Sequence, residues 1–138
     1  MADLFADTSG WASWADRAQQ FHHEAIAAVD RVLMNGDRVV TTSYVLVELT
    51  ALLTSPLRVP KPRQIALLTD LRSATWVEIV HIDRPLEAAA WALWETRPDK
   101  EWSLVDCSSF VVMQQRALTE ALTTDHHFEQ AGLIQLLK

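Results

Sequence analysis

The stretch Asp3-Leu-Phe-Ala-Asp7-Thr-Ser9-Gly10 decides the fold. Asp3 to Ala6 reads as a strand. Behind it, Asp7, Thr8 and Ser9 are short polar residues able to cap a helix that begins around Gly10. A strand that starts almost at Met1 and passes straight into a helix is expected in mid-sheet.

Outward from that unit the alternation repeats. Phe21 to Met34 has helical spacing, with Ile26, Val29, Val32 and Leu33 on one side and Gly36 placed to end it. Arg38 to Thr42 is a second strand. Ser43 to Thr54 is an amphipathic helix, its apolar positions Val45, Leu49, Leu52 and Leu53 recurring at three- and four-residue steps. Pro56, Pro60 and Pro62 break the chain, and a helix from about Arg63 to Ser73 follows. Trp76 to Ile82 is rich in β-branched residues and reads as a strand. Pro85 suits a first helical position and Leu86 to Thr96 continues the helix. Ser103 to Leu118 is another helix, Ala121 to Thr124 a short strand, His126 to Ala131 a short helix ended by Gly132, and Leu133 to Leu137 a last strand. Strands alternating with helices of this length imply crossover connections. The expectation is an α/β fold, a three-layer α/β/α sandwich with a mainly parallel central sheet. Sites in such sheets lie at the carboxyl ends of the strands.

The chain has 138 residues, 49% of them hydrophobic, enough for one domain (1–138) with its own core. A formal charge of −6 and a pI near 5.2 exclude a broad basic surface of the kind that binds nucleic acid by charge alone. Cys107 is the sole cysteine, so no internal disulfide and no multi-cysteine zinc site can form, which suits a reducing compartment. The N-terminus lacks the basic start and apolar stretch of a secretory signal, and the longest apolar run, Ala88 to Trp94, is too short to span a bilayer. A cytoplasmic protein without membrane contact is expected.

Four acids stand where apolar residues are expected. Asp7 and Asp125 each follow a strand, so both should reach the carboxyl edge of the sheet. A step of about 100° per residue places Glu48 between Val45 and Leu52, at the margin of a buried stripe. Asp106 shares its helix face with Phe110, Met113 and Ala117 and should point inward. Burying an uncompensated carboxylate costs several kcal/mol, and converging acids raise one another's pKa values. A divalent cation resolves that conflict, and oxygen-only ligands suit Mg²⁺ or Mn²⁺. Other roles stay open. Asp7 and Asp125 are possible N-caps, Ser103-x-x-Asp106 has the form of a capping box, and Glu48 fits a half-exposed helix position.

The segments Phe5-Ala-Asp7-Thr-Ser9, Val47-Glu48-Leu49, Trp102-Ser-Leu-Val-Asp106-Cys-Ser-Ser109-Phe and Leu122-Thr-Thr-Asp125-His-His-Phe128 resemble, in order and spacing, the acidic motifs of PIN-domain nucleases. They look most like the toxin subunits of VapBC toxin–antitoxin pairs, and together they run from residue 5 to about residue 133. The resemblance implies a metal-dependent endoribonuclease that hydrolyses single-stranded RNA, leaving 5′-phosphate and 3′-hydroxyl ends. It implies a Mg²⁺ or Mn²⁺ cofactor on Asp7, Glu48, Asp106 and Asp125, with Thr8, Ser9 or Ser109 orienting them or a water. It implies a cognate antitoxin as partner and a homodimer. One departure bears on a second metal: many relatives carry a further acid shortly after the last Asp, where this chain has His126 and His127, with Glu129 beyond.

Other features were weighed. Neither His22-His23 nor His126-His127 has zinc-ligand spacing, since adjacent helical histidines diverge. Arg58, Lys61 and Arg63 are candidates to grip an RNA backbone, or are ordinary charges on a solvated loop. Six tryptophans suggest core or subunit interface, with Trp11 and Trp14 as the pair to place at an exposed apolar interface and Trp91 and Trp94 sharing one helix. Cys107 reads as inert packing. Two alternatives to a nuclease remain. An aspartate-based phosphatase or phosphotransfer domain would use Asp7 as nucleophile, but Ser9 stands where a second acid is wanted. The other is an inactive PIN-like module that binds RNA or protein.

Overall fold

A computed structural model describes residues 2–138. Strands β1 (Leu4–Ala6), β2 (Val39–Thr42), β3 (Val77–Val80), β4 (Glu120–Leu122) and β5 (Ile134–Gln135) form one sheet in the order β3-β2-β1-β4-β5. Every pairing is parallel. β1 is therefore central, as its place at the start of the chain predicts. Every residue of β1 and β2 is buried, as a parallel sheet covered on both faces requires, and both strands read as unbroken runs rather than as alternation.

The covering helices are α1 (Thr8–Ala15), α2 (His22–Met34), α3 (Ser43–Thr54), α4 (Lys61–Ser73), α5 (Arg84–Thr96), α6 (Leu104–Gln115) and α7 (His127–Gln130). Phe5, Val40, Leu49, Met113, Leu122 and Phe128 are among the fully buried side chains between the layers. α1 opens flush against the end of β4. The Asp7 amide donates to the Leu122 carbonyl at 3.3 Å, and a Cβ on Gly10 would stand 1.9 Å from that same oxygen. Only glycine fits there.

Several element ends differ from the expected ones, each for a local reason. α1 begins at Thr8 rather than Gly10, because Asp7 alone caps it through a bond from the Gly10 amide. Pro62 lies inside the first turn of α4, where a missing N–H costs nothing, instead of breaking the chain before it. α5 likewise opens at Arg84 behind an Asp83 cap, which makes Pro85 its second residue. α6 stops at Gln115, since Ala117 takes a left-handed φ of 55°, so Ala117 does not share the Asp106 face. Gly36 and Gly132, with φ of 76° and 85°, do end their helices.

The tryptophans correct the expected interface. Trp11 is fully buried and its Nε1 donates to Thr41 Oγ1 at 3.1 Å. Trp14 is half-buried, edge-on to Trp11 and Trp76 at 5.7 and 5.6 Å between ring centroids. α1 is a short helix packed on α2, α3, β1 and β4. Trp91 and Trp94 are the exposed pair instead, 42% and 45% accessible and 5.5 Å apart. Among the described residues no helix is long and apolar enough to cross a membrane.

Candidate active site

All four predicted acids line one cleft of about 560 Å³ at the carboxyl edge of the sheet. Asp7 leaves the end of β1 with extended backbone and caps α1. Its Oδ1 accepts from the Gly10 amide at 3.0 Å and the Ser9 hydroxyl at 2.9 Å, and its Oδ2 accepts from Thr123 Oγ1 at 2.8 Å. Burial pushes its carboxyl up to about 7 against those three hydrogen bonds, with the charge of Asp125 adding to the rise. Glu48 projects from α3, half-buried, and accepts a short bond from the Thr8 hydroxyl.

Asp106 does two things that the sequence reading set against each other. It completes a capping box with Ser103: its Oδ2 accepts from the Ser103 amide at 3.1 Å while its own amide donates to Ser103 Oγ at 3.0 Å. It also faces the cleft. Burial raises its carboxyl, Asp125 raises it further, and bonds from Ser103 and His127 pull it back. Asp125 follows β4, and its Oδ1 accepts from the His127 amide at 2.9 Å. Both strand-end acids are thus caps or turn-makers as well as cleft residues.

Supporting positions divide. Thr8 and Ser9 donate to Glu48 and Asp7. Ser109 does not: it is buried, its hydroxyl has no hydrogen-bond partner among the described residues, and it is absent from the cleft wall. Thr123 was missed. It links the two strand ends, donating to Asp7 and accepting from the Asp125 amide at 2.9 Å. Its place two residues before an acid at a strand end was the available signal. Glu101 and His127 also line the cleft and were not singled out for it. Arg58 and Arg63 line a different cavity, with Asp16 and Asp70, and Lys61 another beside α3 and α4, so the basic segment does not reach the acids. Cys107 is buried and its thiol is pushed up to about 11, the profile of inert packing.

The donor set fits a hard divalent cation. Asp106 Oδ1, Asp125 Oδ2 and Glu48 Oε2 make no hydrogen bond among the described residues, while the other oxygen of each is held. The cleft wall contains no Lys or Arg among those residues to neutralise the acids. The acids share a cleft without meeting at one point. The one group of three candidate ligands whose atoms all lie within 4.8 Å of one another, among the described residues, is Asp125, His126 and His127.

A parallel sheet with such an acidic carboxyl edge defines a class, and the PIN domain model matches residues 4–133: this chain belongs to the PIN-domain family. It is 31% identical over 134 residues to the 23S rRNA-specific endonuclease VapC20 of Mycobacterium tuberculosis, an alignment covering 96% of this chain and 97% of that protein. The crystal structure of VapC20, described as a sarcin-ricin loop cleaving toxin, matches with a TM-score of 0.83 at 29% identity over 98% of this chain and 99% of that one. FitAcB from Neisseria gonorrhoeae matches with a TM-score of 0.70 at 17% identity, covering 96% of each chain, and speaks for the fold.

Proposed function

We propose that this chain is a Mg²⁺- or Mn²⁺-dependent endoribonuclease that hydrolyses single-stranded RNA, leaving 5′-phosphate and 3′-hydroxyl ends. The observation that carries this reading is the cleft in which Asp7, Glu48, Asp106 and Asp125 gather from four different elements, three of them with an oxygen to spare. These four acids would hold the ion. When bound, the ion supplies the positive charge that offsets the phosphate and makes water a competent nucleophile near neutral pH. The protein's own part is placement. Thr8 orients Glu48, Ser9 and Thr123 orient Asp7, and Ser103 fixes Asp106. An acidic protein can act on RNA in this way because the cation brings the positive charge to the reaction centre.

The likeness to VapC20 supports an RNA target of ribosomal type and a toxin role, and we propose a cognate antitoxin as its partner. We further propose that residues 1–138 act as one domain, as a homodimer, in the cytoplasm. The test is incubation of purified protein with single-stranded RNA, and separately with ribosomes, in Mg²⁺, Mn²⁺ or EDTA. Cleavage should need the metal, and undiminished cleavage in EDTA would sink the mechanism. Light scattering checks the dimer, which a monomer at micromolar concentration would remove.

A further inference from the structure

Two histidines line the acid cleft, the exposed His126 and the largely covered His127, and the reading above gives His127 no task. His127 is the first residue of α7, and its side chain is only 20% exposed. Its Nδ1 lies 3.1 Å from Asp106 Oδ2 and 3.3 Å from Asp125 Oδ1. Its backbone amide donates to the same Asp125 oxygen at 2.9 Å. An ionised carboxylate can only accept, so Nδ1 carries a hydrogen. That hydrogen is donated to Asp106, and the charge of Asp125, which raises the Asp106 carboxyl, lies beside the same nitrogen.

We propose that His127 is a positioning residue of the acid cleft: it grips Asp106 and Asp125 by one oxygen each and so turns the other oxygen of each toward a divalent cation. The inference rests on the reading of Asp106 and Asp125 as metal ligands. On Asp106, the Ser103 amide and the His127 ring both use Oδ2, which leaves Oδ1 unbonded among the described residues. On Asp125, the His127 amide donates to Oδ1, with the ring Nδ1 3.3 Å from the same oxygen, which leaves Oδ2 unbonded among the described residues. Two acids from separate elements are thus registered against one residue. Hydrogen-bonding partners behind a ligating carboxylate fix its orientation, and losing one commonly weakens metal binding.

The experiment measures Mn²⁺ affinity of the full chain by calorimetry, with melting curves in EDTA, for wild type, His127→Ala, His127→Asn and Asp106→Asn. Asn keeps an N–H donor close to the Nδ1 position. His127→Ala should bind Mn²⁺ roughly 10–100-fold more weakly, and His127→Asn should recover most of that loss. Asp106→Asn should lose binding too. Wild-type affinity in His127→Ala, or an Asn variant no better than Ala, overturns the proposal while leaving the metal reading intact. Wild-type affinity in Asp106→Asn overturns the metal reading and the proposal with it. A nitrogen coupling in the spin-echo spectrum of bound Mn²⁺ that vanishes in His127→Ala would make His127 a direct ligand, which also overturns it. If His127→Ala does not melt cooperatively, His127→Asn against His127→Leu decides by the same criterion.

Discussion

The two sides of the acid cleft are built in opposite ways. On one side, at the end of β1, Asp7 is 8% exposed and spends both oxygens on three hydrogen bonds from Ser9, Gly10 and Thr123. On the other, Asp106 on α6 and Asp125 after β4 are half-buried, each held by one oxygen. The Asp7 side is finished without a ligand and carries its cost in a raised carboxyl, whereas the Asp106 and Asp125 side keeps acceptors in hand. An anchored acid should dominate chemistry and apo electrostatics, and the open acids should dominate the response to metal.

The largest effect that this contrast predicts is on cleavage. Asp7→Asn preserves the cap geometry, since Asn is as good an N-cap as Asp, yet removes the charge. Activity should fall at least about 100-fold, the scale for losing a preorganised electrostatic group, with no loss of apo stability at pH 8. A fold that unravels in this variant would mean the anchor is structural. Next comes pH. The Asp7 carboxyl lies near 7 folded and near 3.8 unfolded, so the folded state binds the proton more tightly. Its relative stabilisation of the apo fold is present at low pH and fades as pH rises from about 4 to about 7, by up to a few kcal/mol. Denaturant midpoints across that window, compared between wild type and Asp7→Asn in EDTA, should diverge, and parallel curves would refute the assignment. Third, Mn²⁺ at ~100 times its dissociation constant should stabilise wild type by about 2.7 kcal/mol. At the same Mn²⁺ concentration Asp125→Asn should gain clearly less. Equal gains in thermal melts would erase the distinction between the two sides. Smallest is Ser103→Ala, which removes half of the capping box and should cost about 1 kcal/mol while leaving Mn²⁺ binding, and with it the cleft, largely in place.

The alternation of strands and helices, the central place of β1 and all four cleft acids were legible in the sequence, because each follows from local spacing. A strand end followed by an acid announces the sheet edge wherever the chain lies in three dimensions. What was not legible depends on distant partners. Trp11 and Trp14 look like spare apolar surface on a short helix until Trp76 and Thr41 arrive from other elements to cover them. Thr123 is an unremarkable strand residue until Asp7 is set beside it. Asp106 was read as either a cap or an inward acid, yet a carboxylate has two oxygens and here serves both purposes.

Gly10 and the Leu122 carbonyl meet from opposite ends of the chain. A ribosome releases β1 and α1 long before it releases β4. During that interval Asp7 has neither Thr123 nor Asp125 beside it, and α1 lacks the end of β4 against which Gly10 closes. A chain halted before β4 therefore carries three of the four cleft acids and lacks Asp125. For a protein proposed to cut RNA while being made from RNA, the order of synthesis is itself a safeguard, because Asp125 joins the cutting edge only after the other three acids have been made.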